Sequence, residues 1–209
     1  LAAAFDNPPR GQLVTAAGRG LSAAERPALT AGGGTRRGRA EEALLSVAEK
    51  LHAPVICTPG GNGAFPWNHP LSLQSWVEDR HATDLLEDAD VLLVIGSSLG
   101  EVTSNYFTFA PRGRIIQIDA EPRVLESNGP ALGIRADAGQ AMAALDAALQ
   151  VPDAAPDWHG RTAEEVTAET LAKISARLDA QDLGLERKFM ADIRAAVPSG
   201  MQTYWDMTI

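Results

Sequence analysis

The segment Ala28–Leu51, ALTAGGGTRRGRAEEALLSVAEKL, permits few folds. A short apolar run, Ala28 to Ala31, meets Gly32-Gly33-Gly34, and a basic turn with Arg36, Arg37 and Arg39 follows. Ala40, Ala43, Leu44, Val47, Ala48 and Leu51 then recur at helical spacing and form one apolar face. Strand, glycines and helix in that order open the units of a parallel α/β sheet. There, glycines let the backbone approach an anion, and the helix N-terminus offers N–H groups and a partial positive charge. The run is not GxGxxG and lacks the GK[ST] of a P-loop. It reads either as a phosphate cradle or as a tight strand-to-helix turn.

The pattern continues along the chain. Leu13–Glu25 reads as a helix closed by Arg26-Pro27, and Val55–Thr58 as a second short strand. The stretch from Pro59 to Leu73 holds three Gly and three Pro and predicts a long functional or packing loop. Asp79–Leu86 predicts a short helix. Val91-Leu92-Leu93-Val94-Ile95 is apolar throughout, as a central parallel strand covered on both faces should be. Arg114–Ile118 and Gly133–Ala136 predict further strands, ending at Asp119 and Asp137, and Ala138–Leu149 a helix. The alternation predicts a Rossmann-like α/β domain over residues 1–150: an open parallel sheet with helices on both faces. Residues 151–184 read as a proline-rich linker and a polar helix, completing a C-terminal helical extension with Leu185–Val197. Residues 185–209 look like the start of a further, truncated domain, with Met201–Ile209 as its first strand.

Composition narrows the function classes. A formal net charge of −9 argues against a nucleic-acid surface. No stretch is long and apolar enough for a membrane span, and no signal peptide is visible. The single cysteine, Cys57, excludes an internal disulfide and fits a reducing cytoplasm, with a buried structural thiol as the expected role. Leu1 is not a natural start, so the chain reads as a fragment.

Candidate site residues gather at strand ends: Gly32, Gly33 and Gly34, then Gly96, Ser97 and Ser98, then Asp119 and Asp137. Ligands of open parallel sheets bind at that edge. Asp119 could accept hydrogen bonds from a ribose or cap the turn before Pro122, and Asp137 is expected to cap the helix that follows, which leaves it able to contact a ligand. Gly96-Ser97-Ser98-Leu99-Gly100 also fits the G-x-S-x-G of a serine hydrolase, with His159 the only downstream histidine. The four histidines show no metal-ligand spacing. Trp67 and Trp76 flank the Pro/Gly loop and read as anchors against a neighbouring domain.

The blocks also form an ordered set over roughly residues 10–150. Arg26-Pro27-Ala28-Leu29 leads to the glycine run, and Leu51-His52-Ala53-Pro54-Val55 to Gly63-Ala64-Phe65-Pro66 and His69-Pro70-Leu71. Ala89 to Gly96 precedes Arg114-Ile115-Ile116-Gln117-Ile118-Asp119 and Pro122, and Asp137 with its helix closes the set. This set resembles the central domain of thiamine-diphosphate-dependent enzymes of the acetolactate synthase, 2-keto acid decarboxylase and benzaldehyde lyase group. The resemblance implies a six-stranded sheet of the nucleotide-binding type, holding ADP or FAD in some members and nothing in others. Its contacts would fall on the eight residues named above. Glu101–Phe109 departs from the arginine-containing pattern of the flavin-binding synthases.

The family's catalytic glutamate belongs to an N-terminal domain, and its Gly-Asp-Gly metal motif with a following asparagine occurs nowhere in these residues. The resemblance therefore implies a central structural domain, catalytically incompetent alone, within a parent that uses thiamine diphosphate and Mg²⁺. That parent would cleave or join C–C bonds of 2-keto acids or aldehydes, as a cytoplasmic homo-oligomer (dimer or tetramer). Partners of this piece would be neighbouring domains of the same polypeptide, with Asp206–Thr208 near the coenzyme. The alternative is a functional ADP- or FAD-binding module of an acetolactate synthase-like or acyl-CoA decarboxylase-like enzyme.

Overall fold

All five residues of Val91–Ile95 are buried, as a central parallel strand with helices over both sheet faces requires. The computed structural model describes residues 7–151, 154–198 and 201. Five strands form one sheet: β1 (Pro27–Ala31), β2 (Val55–Cys57), β3 (Val91–Ile95), β4 (Arg114–Asp119) and β5 (Leu132–Arg135). Their spatial order is β2-β1-β3-β4-β5, and every pairing is parallel. The helices of this part are α1 (Gly11–Ser22), α2 (Gly33–Arg37), α3 (Glu41–Leu51), α4 (Arg80–Asp88) and α5 (Ala138–Ala148). The crossovers through α3 and α4 run in opposite directions across β1, so right-handed connections place those helices on opposite faces. Along the α3 face, α5 packs between α3 and α1. The Rossmann-like class read from the sequence is the class observed.

About six strands were expected and five form. The sixth survives as a bridge between Ser72 and Val55 on the outer side of β2. There Val55 N donates to Leu71 O (2.8 Å), Leu73 N to Val55 O (2.8 Å) and Cys57 N to Gln74 O (2.7 Å). The ladder stops because Gln74 adopts a left-handed φ of 56°, which turns the chain away. The basic turn also holds more structure than its sequence suggests: Gly33–Arg37 forms the short helix α2.

The chain divides into two compact units, Leu1–Ala172 and Lys173–Ile209. The boundary falls within α6 (Ala163–Asp179). In the second unit α7 (Gly184–Ala196) buries no residue among those described, and Leu185 and Phe189 are exposed. The strand expected at Met201–Ile209, and with it Asp206–Thr208, lies outside the described residues apart from Met201. No helix among the described residues is long and apolar enough to cross a membrane.

Candidate functional site

Sheet register brings the predicted residues together. Ala31 pairs with Ile95, and Ile95 with Ile118, so the loops after β1, β3 and β4 leave the sheet side by side. β1 leads to β2 on one side and is flanked by β3 on the other, which makes the β1/β3 edge the topological switch point. A cleft of about 330 Å³ opens there, lined by Gly34, Arg37, Gly96, Ser98, Asp119, Ala120, Glu121, Val124, Asp137 and Ala138. Five of the eight expected residues therefore face one cavity. Gly32, Gly33 and Ser97 are not among its lining residues. Arg37, Ala120, Glu121, Val124 and Ala138 were not assigned, although Arg37 belongs to the basic cluster seen in the sequence.

The glycines permit backbone-to-backbone contact. A Cβ on Gly34 would fall 2.5 Å from Gly96 Cα, and one on Gly32 would fall 2.2 Å from Gly96 O. Gly96 itself has a φ of +60°. The amides of this turn are engaged: Gly32 N donates to Ile95 O (2.7 Å), Gly34 N to Gly96 O (3.0 Å) and Thr35 N to Gly32 O (3.1 Å). The buried Thr35 hydroxyl donates to Ile95 O (3.1 Å).

The opposite wall is tied in the same way. Gln117 is buried and satisfied at both ends of its amide. Its Nε2 donates to Ser97 O (3.0 Å) and Val124 O (3.2 Å), and its Oε1 accepts from Glu126 N (2.8 Å). Asn128 Nδ2 donates to Ser98 O (2.8 Å). Asp119 Oδ1 accepts from Glu121 N (2.9 Å), a turn-capping bond, and Asp137 Oδ1 accepts from Gln140 N (3.2 Å), the expected cap of α5. Among the charged groups, Arg36 is engaged by Gly63 O (2.9 Å) and Glu41 (3.6 Å). The Arg37 guanidinium, which lines the cleft, makes no hydrogen bond or ion pair among the described residues.

The serine-hydrolase reading fails on geometry. No helix starts at Ser98; residues 101–108 form successive turns. His159 Nε2 lies 2.7 Å from Asp88 Oδ2, and Asp88 precedes β3 whereas Ser98 follows it. The two residues therefore lie at opposite ends of a strand about 16 Å long. Cys57 is buried; burial pushes its thiol up, against the lowering effect of the Phe65 and Ala64 amides. It is no reactive nucleophile.

Residues 14–145 match the family model described as "Thiamine pyrophosphate enzyme, central domain". The chain belongs to that family. It is similar to the protein named "Probable 2-ketoarginine decarboxylase AruI" of Pseudomonas aeruginosa, 30% identical over 204 residues, covering 96% of this chain and 35% of that protein. The acetolactate synthase large subunit of Parasynechococcus marenigrum is 31% identical over 177 residues, covering 82% of this chain and 27% of that one. The sulfoacetaldehyde acetyltransferase of Castellaniella defragrans is 37% identical over 128 residues, 58% of this chain and 21% of its own. This chain thus spans about a third or less of these relatives. In fold it is similar to the benzoylformate decarboxylase of Polynucleobacter necessarius, with a TM-score of 0.60 at 19% identity, covering 71% of this chain and 29% of that one.

Proposed function

We propose that this chain is the scaffolding central domain of a thiamine-diphosphate-dependent enzyme that cleaves or joins C–C bonds of 2-keto acids or aldehydes. The carrying observation is the family match over residues 14–145. The names of the similar proteins, a 2-ketoarginine decarboxylase, an acetolactate synthase and an acetyltransferase, support that substrate range. When bound, thiamine diphosphate supplies a carbanion that attacks a carbonyl carbon, with Mg²⁺ holding the diphosphate. The residues here do not fit that group. They contain no Gly-Asp-Gly, and no cluster of three metal-ligating side chains occurs among those described. We assign this chain no chemical step. Its part is to hold a rigid parallel sheet whose edge loops present surfaces to neighbouring domains, in a cytoplasmic homo-oligomer.

The alternative, a functional ADP- or FAD-binding module, would use the cleft's position at the switch point and Arg37. The function is tested by assaying a polypeptide that carries this chain, with thiamine diphosphate and Mg²⁺, against a panel of 2-keto acids and aldehydes. Coenzyme-dependent CO₂ release or carboligation is expected there, and no turnover from the 209 residues alone. Turnover by the isolated chain, or coenzyme-independent turnover by the longer one, would overturn the proposal.

A further inference from the structure

We infer that the switch-point cleft is a self-bonded joint between strand ends that takes neither ADP nor FAD. The inference rests on the family reading only for the choice of nucleotides. A diphosphate needs free N–H donors, net positive charge and room for the backbone to cradle it. The glycine turn offers little of the first and third, and the cleft little of the second. The amides of Gly32, Gly34 and Thr35 already donate to Ile95, Gly96 and Gly32 carbonyls, and the Thr35 hydroxyl is also engaged. No phosphate can enter between the glycine turn and Gly96, because even a Cβ there would approach within 2.2–2.5 Å of backbone. The helix that follows the glycines has only five residues, so its dipole is short.

Charge points the same way. One cation, Arg37, lines the cleft against three carboxylates, Asp119, Glu121 and Asp137. The second arginine that might have joined it, Arg36, is turned to Gly63 O and Glu41. Like charges in a partly desolvated cleft repel a diphosphate more than one exposed arginine attracts it. The volume, about 330 Å³, is at the small end for ligand pockets. Gln117 and Asn128 tie the Ser97, Ser98 and Val124 carbonyls, so opening the cleft there would break bonds within the protein.

Calorimetric titration of the 209-residue chain with ADP, and separately with FAD, tests this. The expected result is no saturable heat with either nucleotide up to about 1 mM. If binding is seen, the titration is repeated on Arg37→Ala and on Val124→Trp, which fills the cleft from an exposed turn; circular dichroism checks that both fold. Binding weakened about tenfold or more in either variant would place the nucleotide in the cleft and overturn the inference. Binding unchanged in both would lie elsewhere and leave the inference standing. None of these outcomes touches the family membership, and loss of the proposed enzymatic function would not alter them.

Discussion

Gly96 shows how much one residue can decide. Its φ of +60° disfavours any side chain by about 1–2 kcal/mol. Its Cβ would also sit 2.3 Å from Gly34 Cα, a backbone atom that cannot rotate away. Gly96→Ala should therefore cost more than ~2 kcal/mol in urea unfolding. Gly63→Ala is the control: φ is +81°, but the crowding atom is the flexible Arg36 guanidinium, so only the ~1–2 kcal/mol of backbone strain is expected. The sequence showed the glycine run but left cradle and turn undecided. The deciding partner is 64 positions away at Gly96, brought alongside by the Ala31–Ile95 register. Gln117 was harder to read, because a polar residue inside RIIQID says nothing of its partners. Gln117→Leu would leave Ser97 O, Val124 O and Glu126 N without that partner, and a loss of about 1–3 kcal/mol is expected from chemical denaturation. Asp137 was legible as a cap because capping is local.

At the level of elements, apolar strands and helices were legible even when short, as β2 and α4 show, whereas α2 and the tethered stretch before α6 were not. β3 and the inward face of α3 follow from periodicity alone. α2 was missed because its five residues carry no apolar stripe. The proline-rich stretch before α6 read as a linker, yet it is pinned. Asp157 N donates to Glu25 O (3.0 Å), His159 meets Asp88 (2.7 Å), and Trp158 is only 2% exposed. Pro, Ala and Asp set the linker signal, and one tryptophan among them does the anchoring. Trp158→Ala should destabilise the first unit by about 3–5 kcal/mol, measured by thermal or urea unfolding. Between α3 and α5, burial pushes the Asp146 carboxyl up, but hydrogen bonds from Lys50 (2.9 Å) and Ser46 (2.7 Å) outweigh it and hold it below its ordinary value of 3.8. A depressed carboxyl stabilises the fold above its ordinary value, and that share is lost as pH falls through the folded one. Stability measured from pH ~5 downward past 3.8 should therefore decline less steeply in Lys50→Met than in the parent chain.

Over the whole molecule, the alternation of strands and helices and the ordered motifs point to class and family, because both are written in local periodicity and chain order. The cleft's location was legible too, since ligands of such sheets sit at strand C-termini. Its chemistry was not. Whether amides are free, which arginine faces inward and how many carboxylates surround it depend on the packing of loops distant in sequence. The central claim is that coenzyme chemistry lies outside these residues and that this domain is scaffold. Calorimetric titration of the 209-residue chain with thiamine diphosphate and Mg²⁺ tests it most directly. The expected result is heat of dilution alone; a saturable, Mg²⁺-dependent binding isotherm would contradict the account.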